Sequence, residues 1–262
     1  MKRLLLASTV LALGGQVFGE QARAAPPTVY NWTGCYIGAN AGAGWSRNQV
    51  SEPLNATFQN FAPVGSSFDA NSNAAFIGGG QLGCNYQFAP NWVVGLQGDM
   101  SFGGISGQAD DPFFAGKNPG PVTLQAKTTW IASAQGRVGY AWNNILLYGT
   151  GGPAWAHTKF SGGNLDRFGN PADFCFSGGL GVACTPTGSD TRLGWTLGAG
   201  FEWAFNNNWS AGFVYNHYAF GSRNVTLTDP NAFSSTVADI TVKTQIDTAK
   251  VTLNYRFWPG MR

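Results

Sequence analysis

The sequence predicts an all-β fold: an eight-stranded antiparallel transmembrane up-and-down β-barrel with four long extracellular loops. Three observations predict it. Residues 25–262 carry eight stretches of period-2 apolar alternation. Tight turns alternate with long polar segments between those stretches. An export signal opens the chain.

The signal comes first. Met1-Lys2-Arg3 is a basic head, Leu4–Gly15 is a short apolar stretch, and Ala22-Arg23-Ala24 has the small-x-small form of a cleavage site. Residues 1–24 are therefore expected to be a signal peptide, and residues 25–262 the barrel. The apolar stretch is too short to span a bilayer as a helix, and no later stretch is long enough. Composition agrees. Charged residues make up 11% and hydrophobic ones 44%, whereas soluble domains carry about 25% charged residues. Lipid hydrates no charge, so a lipid-facing wall excludes Lys and Glu. Lys2, Arg3, Arg23 and Glu20 leave with the signal, taking 15 basic and 13 acidic residues to 12 of each. A neutral mature chain gives no electrostatic reason to bind nucleic acid.

The strands follow in order. Thr33–Trp45 puts Thr33, Cys35, Ile37 and Trp45 on one face and a row of glycines on the other. In Ala74–Phe88, Phe76, Leu82, Cys84, Tyr86 and Phe88 face lipid, and Gln81, Asn85 and Gln87 face inward. Trp92–Phe102 turns Gln97 and Asp99 inward. Lys127–Trp142 turns Gln135 and Arg137 inward, with Trp130, Val138, Tyr140 and Trp142 outside. Ile145–Thr158 has ambiguous parity around Gly151-Gly152. Pro153 cannot donate to a ladder, so a bulge is expected there. Thr191–Phe205 shows Leu193, Trp195, Leu197, Phe201, Trp203 and Phe205 to lipid, with Arg192 and Glu202 inside. Trp209–Phe220 is the seventh strand. Gln245–Phe257 is the eighth, with Lys250 and Arg256 inside.

Ala89-Pro90-Asn91, Asn143-Asn144 and Asn206-Asn207-Asn208 make the tight turns. Residues 46–73, 103–126, 159–190 and 221–244 make the long loops. That division places both termini on the periplasmic side of a Gram-negative cell outer membrane. A soluble eight-stranded barrel would have the reverse polarity, apolar inside and polar outside. Here the polar face carries Asp99, Arg137, Arg192, Glu202, Lys250 and Arg256, which are expected to form a lumen network with Gln81, Gln97 and Gln135. Trp45, Trp142, Trp155, Trp203 and Trp209 are expected to anchor the hydrocarbon boundaries.

The segments NWTGCYIGANAG (31–42), GGGQLGCNYQF (78–88), NWVVGLQGD (91–99), LLYGTGGPAWA (146–156) and LNYRF (253–257) are distributed in order along the chain. With them the chain resembles the alphaproteobacterial outer-membrane β-barrel family of porin-like and outer-membrane immunogenic proteins. The resemblance covers nearly all of the mature chain. It implies an eight-stranded barrel inserted by the barrel assembly machinery. It also implies roles in surface antigenicity, envelope integrity or, in a few members, haem uptake. It implies that Phe257 serves as the assembly signal, although Trp258-Pro259-Gly260-Met261-Arg262 follow it here. The family brings no catalytic residues.

Four cysteines in an exported chain suggest two disulfides, for which three pairings exist. Position supports Cys35 with Cys84, on matched outward faces near the periplasmic ends of adjacent strands. Cys175 with Cys184 would close a small lobe in the third long loop. Neither pair has CxxC spacing, so no metal site is expected.

An eight-stranded barrel is barely wide enough for its own side chains, so low channel activity is expected. The sequence is therefore read as a structural surface protein that supports envelope integrity and exposes loops for contact. Its expected partners are outer-membrane lipid, lipopolysaccharide, the barrel assembly machinery and another membrane protein. A narrow porin for small solutes and a haem- or ligand-binding surface barrel are the alternatives. The second would rest on His157 and His217, the two histidines. They are too few for a hydrolytic centre, and no cofactor is expected. Gly78-Gly79-Gly80 lies in a strand pattern with no helix to cradle phosphate. Asp110-Asp111 and Asp229 could hold only a weak surface ion.

Overall fold

The computed structural model describes residues 30–51, 67–110, 122–164, 186–228 and 236–259. The expected signal at 1–24 and the Cys175 and Cys184 pair lie outside the described residues. So do the centres of the long loops.

The described residues form one antiparallel sheet of nine strands, not eight: β1 (Gly34–Ser51), β2 (Ser67–Asp69), β3 (Ala75–Gln87), β4 (Trp92–Asp110), β5 (Val122–Trp142), β6 (Ile145–Asn164), β7 (Thr187–Ala204), β8 (Trp209–Thr228) and β9 (Thr236–Pro259). Eight are long. The unexpected ninth is β2, and its place has a simple cause. β3 is shorter than its neighbours β1 and β4, which would leave their loop ends unpaired. β2 pairs with Gln49–Ser51 beyond the end of β3, and Ser72 bridges to Gly107 of β4. The segment thus continues the path of β3 and satisfies edge groups that would otherwise stand open.

Each long strand pairs with the next, and β1 pairs with β9 from Gly34↔Pro259 to Ser51↔Thr241. The three tight turns join β3 to β4, β5 to β6 and β7 to β8. Asn143 takes φ 53° in the middle one, a conformation that Asn tolerates better than most residues.

The long loops are shorter than the sequence suggested, because strands run into them. β4 continues to Asp110, β6 to Asn164 and β8 to Thr228, while β5 begins at Val122 and β9 at Thr236. Polar composition hid these extensions. A ladder that leaves lipid needs no outward apolar residues, so period-2 alternation fades where hydrogen bonding continues. The bulge expected at Gly151–Pro153 is also corrected. β6 stays in register with β7 through Gly151↔Leu197 and Pro153↔Trp195. The irregularity falls instead in β5, between Thr128 and Trp130.

Alternation sets the two faces of the sheet. One carries Phe76, Leu82, Leu96, Trp142, Leu147, Leu193, Leu197 and Val251, all well exposed. The other buries Asn40, Gln81, Gln97, Asp99, Arg137, Glu202, Lys250 and Asn254. This is the reverse of a water-soluble sheet.

Candidate functional site: the buried face and the exposed rim

The buried face is layered along the strands. Nearest the tight turns lies an apolar layer of Val93, Ala141, Leu146, Tyr148, Ala204 and Val214, closed by Trp32. Trp32 precedes β1 and is only 2% exposed. Its backbone N–H donates to Gln87 Oε1 at 2.9 Å, and its indole N–H donates to the Asn143 carbonyl at 3.0 Å. Arg256 donates to the Asn31 carbonyl. Its guanidinium lies 4.5 Å from the Tyr30 ring centroid and 5.7 Å from that of Trp32. The segment before the first strand is thereby tied across the turn end.

Above it comes a polar layer. Lys250 Nζ lies 2.8 Å from both carboxylate oxygens of Asp99 and 3.1 Å from Ser101 Oγ. Asn40 donates to Asp99 at 2.8 Å. Arg137 pairs with Glu202, which also accepts from Ser210 and from Asn254 at 3.1 Å. Asn254 in turn accepts from Gln81 at 2.7 Å. Arg137 Nη1 donates to Tyr36 Oη at 3.1 Å, Tyr36 donates to Gln97 at 2.8 Å, and Gln135 donates to Ser133. The guanidinium also stacks 3.6 Å from the Tyr148 ring centroid. Each buried charge here has an opposite charge and further hydrogen bonds, the arrangement that burial demands.

Two further apolar layers lie toward the loop end. The first contains Ile77, Ile105, Ile131, Ala154, Ala156, Tyr218, Phe220 and Ile246. The second contains Val50, Ala70, Leu124, Ala126, Phe160, Val225, Leu227, Ile240 and Val242. Arg192 is fully buried among these side chains. It pairs with Asp190 at 2.9 Å, donates to the Val242 carbonyl and Thr244, and lies over the Phe160 ring.

The six charged residues singled out in the sequence thus share the buried face, but not one network. Asp99 joins Lys250, and Arg137 joins Glu202. Arg192 and Arg256 stand apart, toward opposite ends, with partners the sequence reading missed. Also missed were Trp32, Tyr36 and the apolar layers. Parity could have found the layers, since Val214, Tyr218 and Phe220 share one face of β8. Nothing in the pattern marks Trp32, because it precedes the first strand.

On the exposed face, Cys35 and Cys84 stand directly opposite in the β1–β3 ladder and form a disulfide. Phe257 is exposed on β9, which continues to Pro259. The two histidines lie apart. His157 stacks on Trp130 and has Nδ1 2.9 Å from Thr191 Oγ1. His217 has Nδ1 2.7 Å from Asp247 Oδ1. Asp247 also accepts from Tyr215 at 2.6 Å and pairs with Arg47 at 3.2 Å. Although it points outward, Asp247 is only 1% exposed, because these partners cover it. Among the described residues, no three His, Cys, Asp or Glu side chains gather as a metal site.

Comparison with known proteins places this geometry. Residues 9–257 match the family described as outer membrane protein beta-barrel domain. The chain is 32% identical over 237 residues to the 31 kDa outer-membrane immunogenic protein of Brucella melitensis biotype 1, covering 89% of this chain and 87% of that one. It is 26% identical over 230 residues to the 25 kDa outer-membrane immunogenic protein of Brucella abortus biovar 1, covering 87% and 80%. Among solved structures it is similar to the outer membrane protein OprG of Pseudomonas aeruginosa, at 13% identity and a TM-score of 0.49, covering 87% of this chain and 98% of that one.

Proposed function

The chain belongs to the outer membrane protein beta-barrel domain family, and from that premise we propose that it is a closed, filled barrel acting as a non-conducting surface scaffold. It is a structural surface protein of the outer membrane of a Gram-negative bacterium. In our reading, the β1–β9 pairing closes the eight long strands into a barrel that crosses this membrane, and β2 patches its loop end. The tight turns and the Trp32 segment face the periplasm. The strand extensions and long loops stand outside the cell. Residues 1–24 direct export and are removed.

One observation carries the reading. The buried face is filled by apolar layers on both sides of paired, hydrogen-bonded charges. Apolar side chains in contact leave no hydrated path for ions. The narrow porin is therefore the weaker alternative. The exposed apolar face meets lipid, with Trp142, Trp203 and Trp209 at the turn end as an aromatic girdle. The extended rim is the surface for contact, which fits the immunogenic character in the relatives' names. The partners we propose are lipopolysaccharide in the outer leaflet, the barrel assembly machinery acting on the strand that carries Phe257, and other membrane proteins at the rim.

The test is a purified, refolded chain. It should show β-rich circular dichroism, heat-modifiable gel migration and no stable large conductance in planar bilayers. Non-reducing peptide mapping of the same sample should recover Cys175 linked to Cys184. Reproducible porin-sized conductance would overturn the scaffold reading.

A further inference from the structure

On the exposed face, one row of the ladder runs Ser106–Lys127–Lys159–Ser189 across β4, β5, β6 and β7. The two lysines are directly opposite each other. Parity fixes their direction. Lys127 lies between buried Ala126 and Thr128, and Lys159 lies between buried Thr158 and Phe160. Like charges facing across neighbouring strands repel at the roughly 5 Å separation of their Cβ atoms and destabilise the pairing. Among the described residues, no carboxylate forms an ion pair with either lysine. The next row toward the loops is Gln108–Gln125–Ser161–Thr187, which has no acid.

The same face shows that an acid could have been placed there. Arg47 has Asp247 at 3.2 Å, so an outward cation elsewhere is neutralised internally. The Lys127 arm lies along β4 over Gly104, where an added Cβ would come within 3.3 Å of Cε. Just below the row, Trp130 and His157 stack with centroids 6.0 Å apart. Trp155 is the next exposed aromatic on β6. At ordinary strand rise and tilt, Lys159 stands roughly 35 Å from the tight-turn end along the barrel axis. An apolar band is about 25 Å tall. The lysines therefore lie just beyond the hydrocarbon, where outer-leaflet headgroups begin.

We propose that Ser106, Lys127, Lys159 and Ser189 form a binding site for the phosphate of an outer-leaflet glycolipid headgroup, with its acyl chains lying against the apolar face below. A phosphate has acceptor oxygens enough for both ammonium groups and a flanking hydroxyl. Its charge converts the lysine repulsion into attraction. The site rests on the barrel orientation proposed above and adds a specific lipid contact to it.

The test uses the full refolded chain in mild detergent. Retained lipid is read by native mass spectrometry as bis-phosphorylated lipid A is titrated in. The wild type should hold lipid A saturably. The double variant Lys127→Gln/Lys159→Gln should bind at least about tenfold more weakly, as loss of two charged contacts implies. Lys243→Gln, a change to another exposed lysine, should bind as the wild type does. Dephosphorylated lipid A should bind the wild type as weakly as phosphorylated lipid A binds the double variant. Equal retention by the wild type and the double variant overturns the site and leaves the barrel standing. Displacement of lipid A by millimolar inorganic phosphate overturns the lipid as the ligand in favour of a free anion. A wild type without a heat-modifiable band takes down the barrel reading and the site with it.

Discussion

The middle of the buried face and its two ends are built on different physics. In the middle, Asp99 of β4 meets Lys250 of β9, and Arg137 of β5 meets Glu202 of β7. Both pairs join strands that are not consecutive in the sheet. Their partners are fixed in direction and number. At the ends, side chains such as Val93, Leu146, Ile246 and Phe160 meet without directional bonds. The difference separates two tasks. The charged layer selects one register, since a one-residue slip would turn its members outward into lipid. The apolar layers, which in the proposed barrel exclude water, contribute about 1.5–3 kcal/mol per large side chain. A barrel held only by its ends would be closed but poorly specified, and one held only by its middle would be wet.

The largest effect should come from breaking one charge pair in the middle. Arg137→Met leaves Glu202 buried with two neutral donors and no opposite charge. It should cost about 3–5 kcal/mol, read by urea unfolding in phospholipid vesicles with tryptophan fluorescence. The double variant Arg137→Met/Glu202→Leu should recover most of that loss, because no uncompensated charge remains. If the double variant is no more stable than the single one, the pair does not act as a unit.

The strands were largely legible in the sequence, because lipid imposes an outward apolar residue at every second position. Leu193, Leu197 and Val251 announce their faces for this reason. The strand extensions were not legible. On the extensions of β4 and β8 the outward positions are polar, as at Gln108 and Thr226, so the outward apolar signal fades although Val225 and Leu227 still pack inward. β2 was hidden for a different cause, since its place depends on β3 being short. The inward charges were readable one by one, but their pairing was not. Which cation meets which acid depends on how the sheet curls, which brings Asp99 of β4 to Lys250 of β9 and Arg137 of β5 to Glu202 of β7. Asp247 shows the limit of parity as a guide to exposure. It points outward, yet three partners from two other strands cover it.

The next effect probes the turn end. Trp32→Ala removes the ring that closes the lowest apolar layer, the indole donor to the Asn143 carbonyl and one of the two rings beside the Arg256 guanidinium. We expect a loss of about 3 kcal/mol, at the low end for a buried Trp because the segment stands outside the strand ladder. Conductance in planar bilayers should stay absent, since two apolar layers still stand above the charged one. A channel opened by this one substitution would show that the loop-end layers do not seal, and that Trp32 alone closes the barrel.

The smallest effect sharpens the contrast most. Ile246 is fully buried in the apolar layer just above the charges, and Lys250 is fully buried in the layer below on the same strand. Ile246→Leu keeps volume and polarity, and its neighbours can repack, so it should cost less than about 1.5 kcal/mol. Lys250→Met also keeps approximate volume, but it strips Asp99 of its cation and should cost about 3–5 kcal/mol. Both changes sit on β9, so strand context is shared and only the physics of the layer differs. Measuring the two side by side in the same urea titration isolates that difference. Equal losses would mean that packing alone holds the middle. A gap of about 2 kcal/mol or more would assign the choice of register to the charged layer and the sealing to the apolar ones.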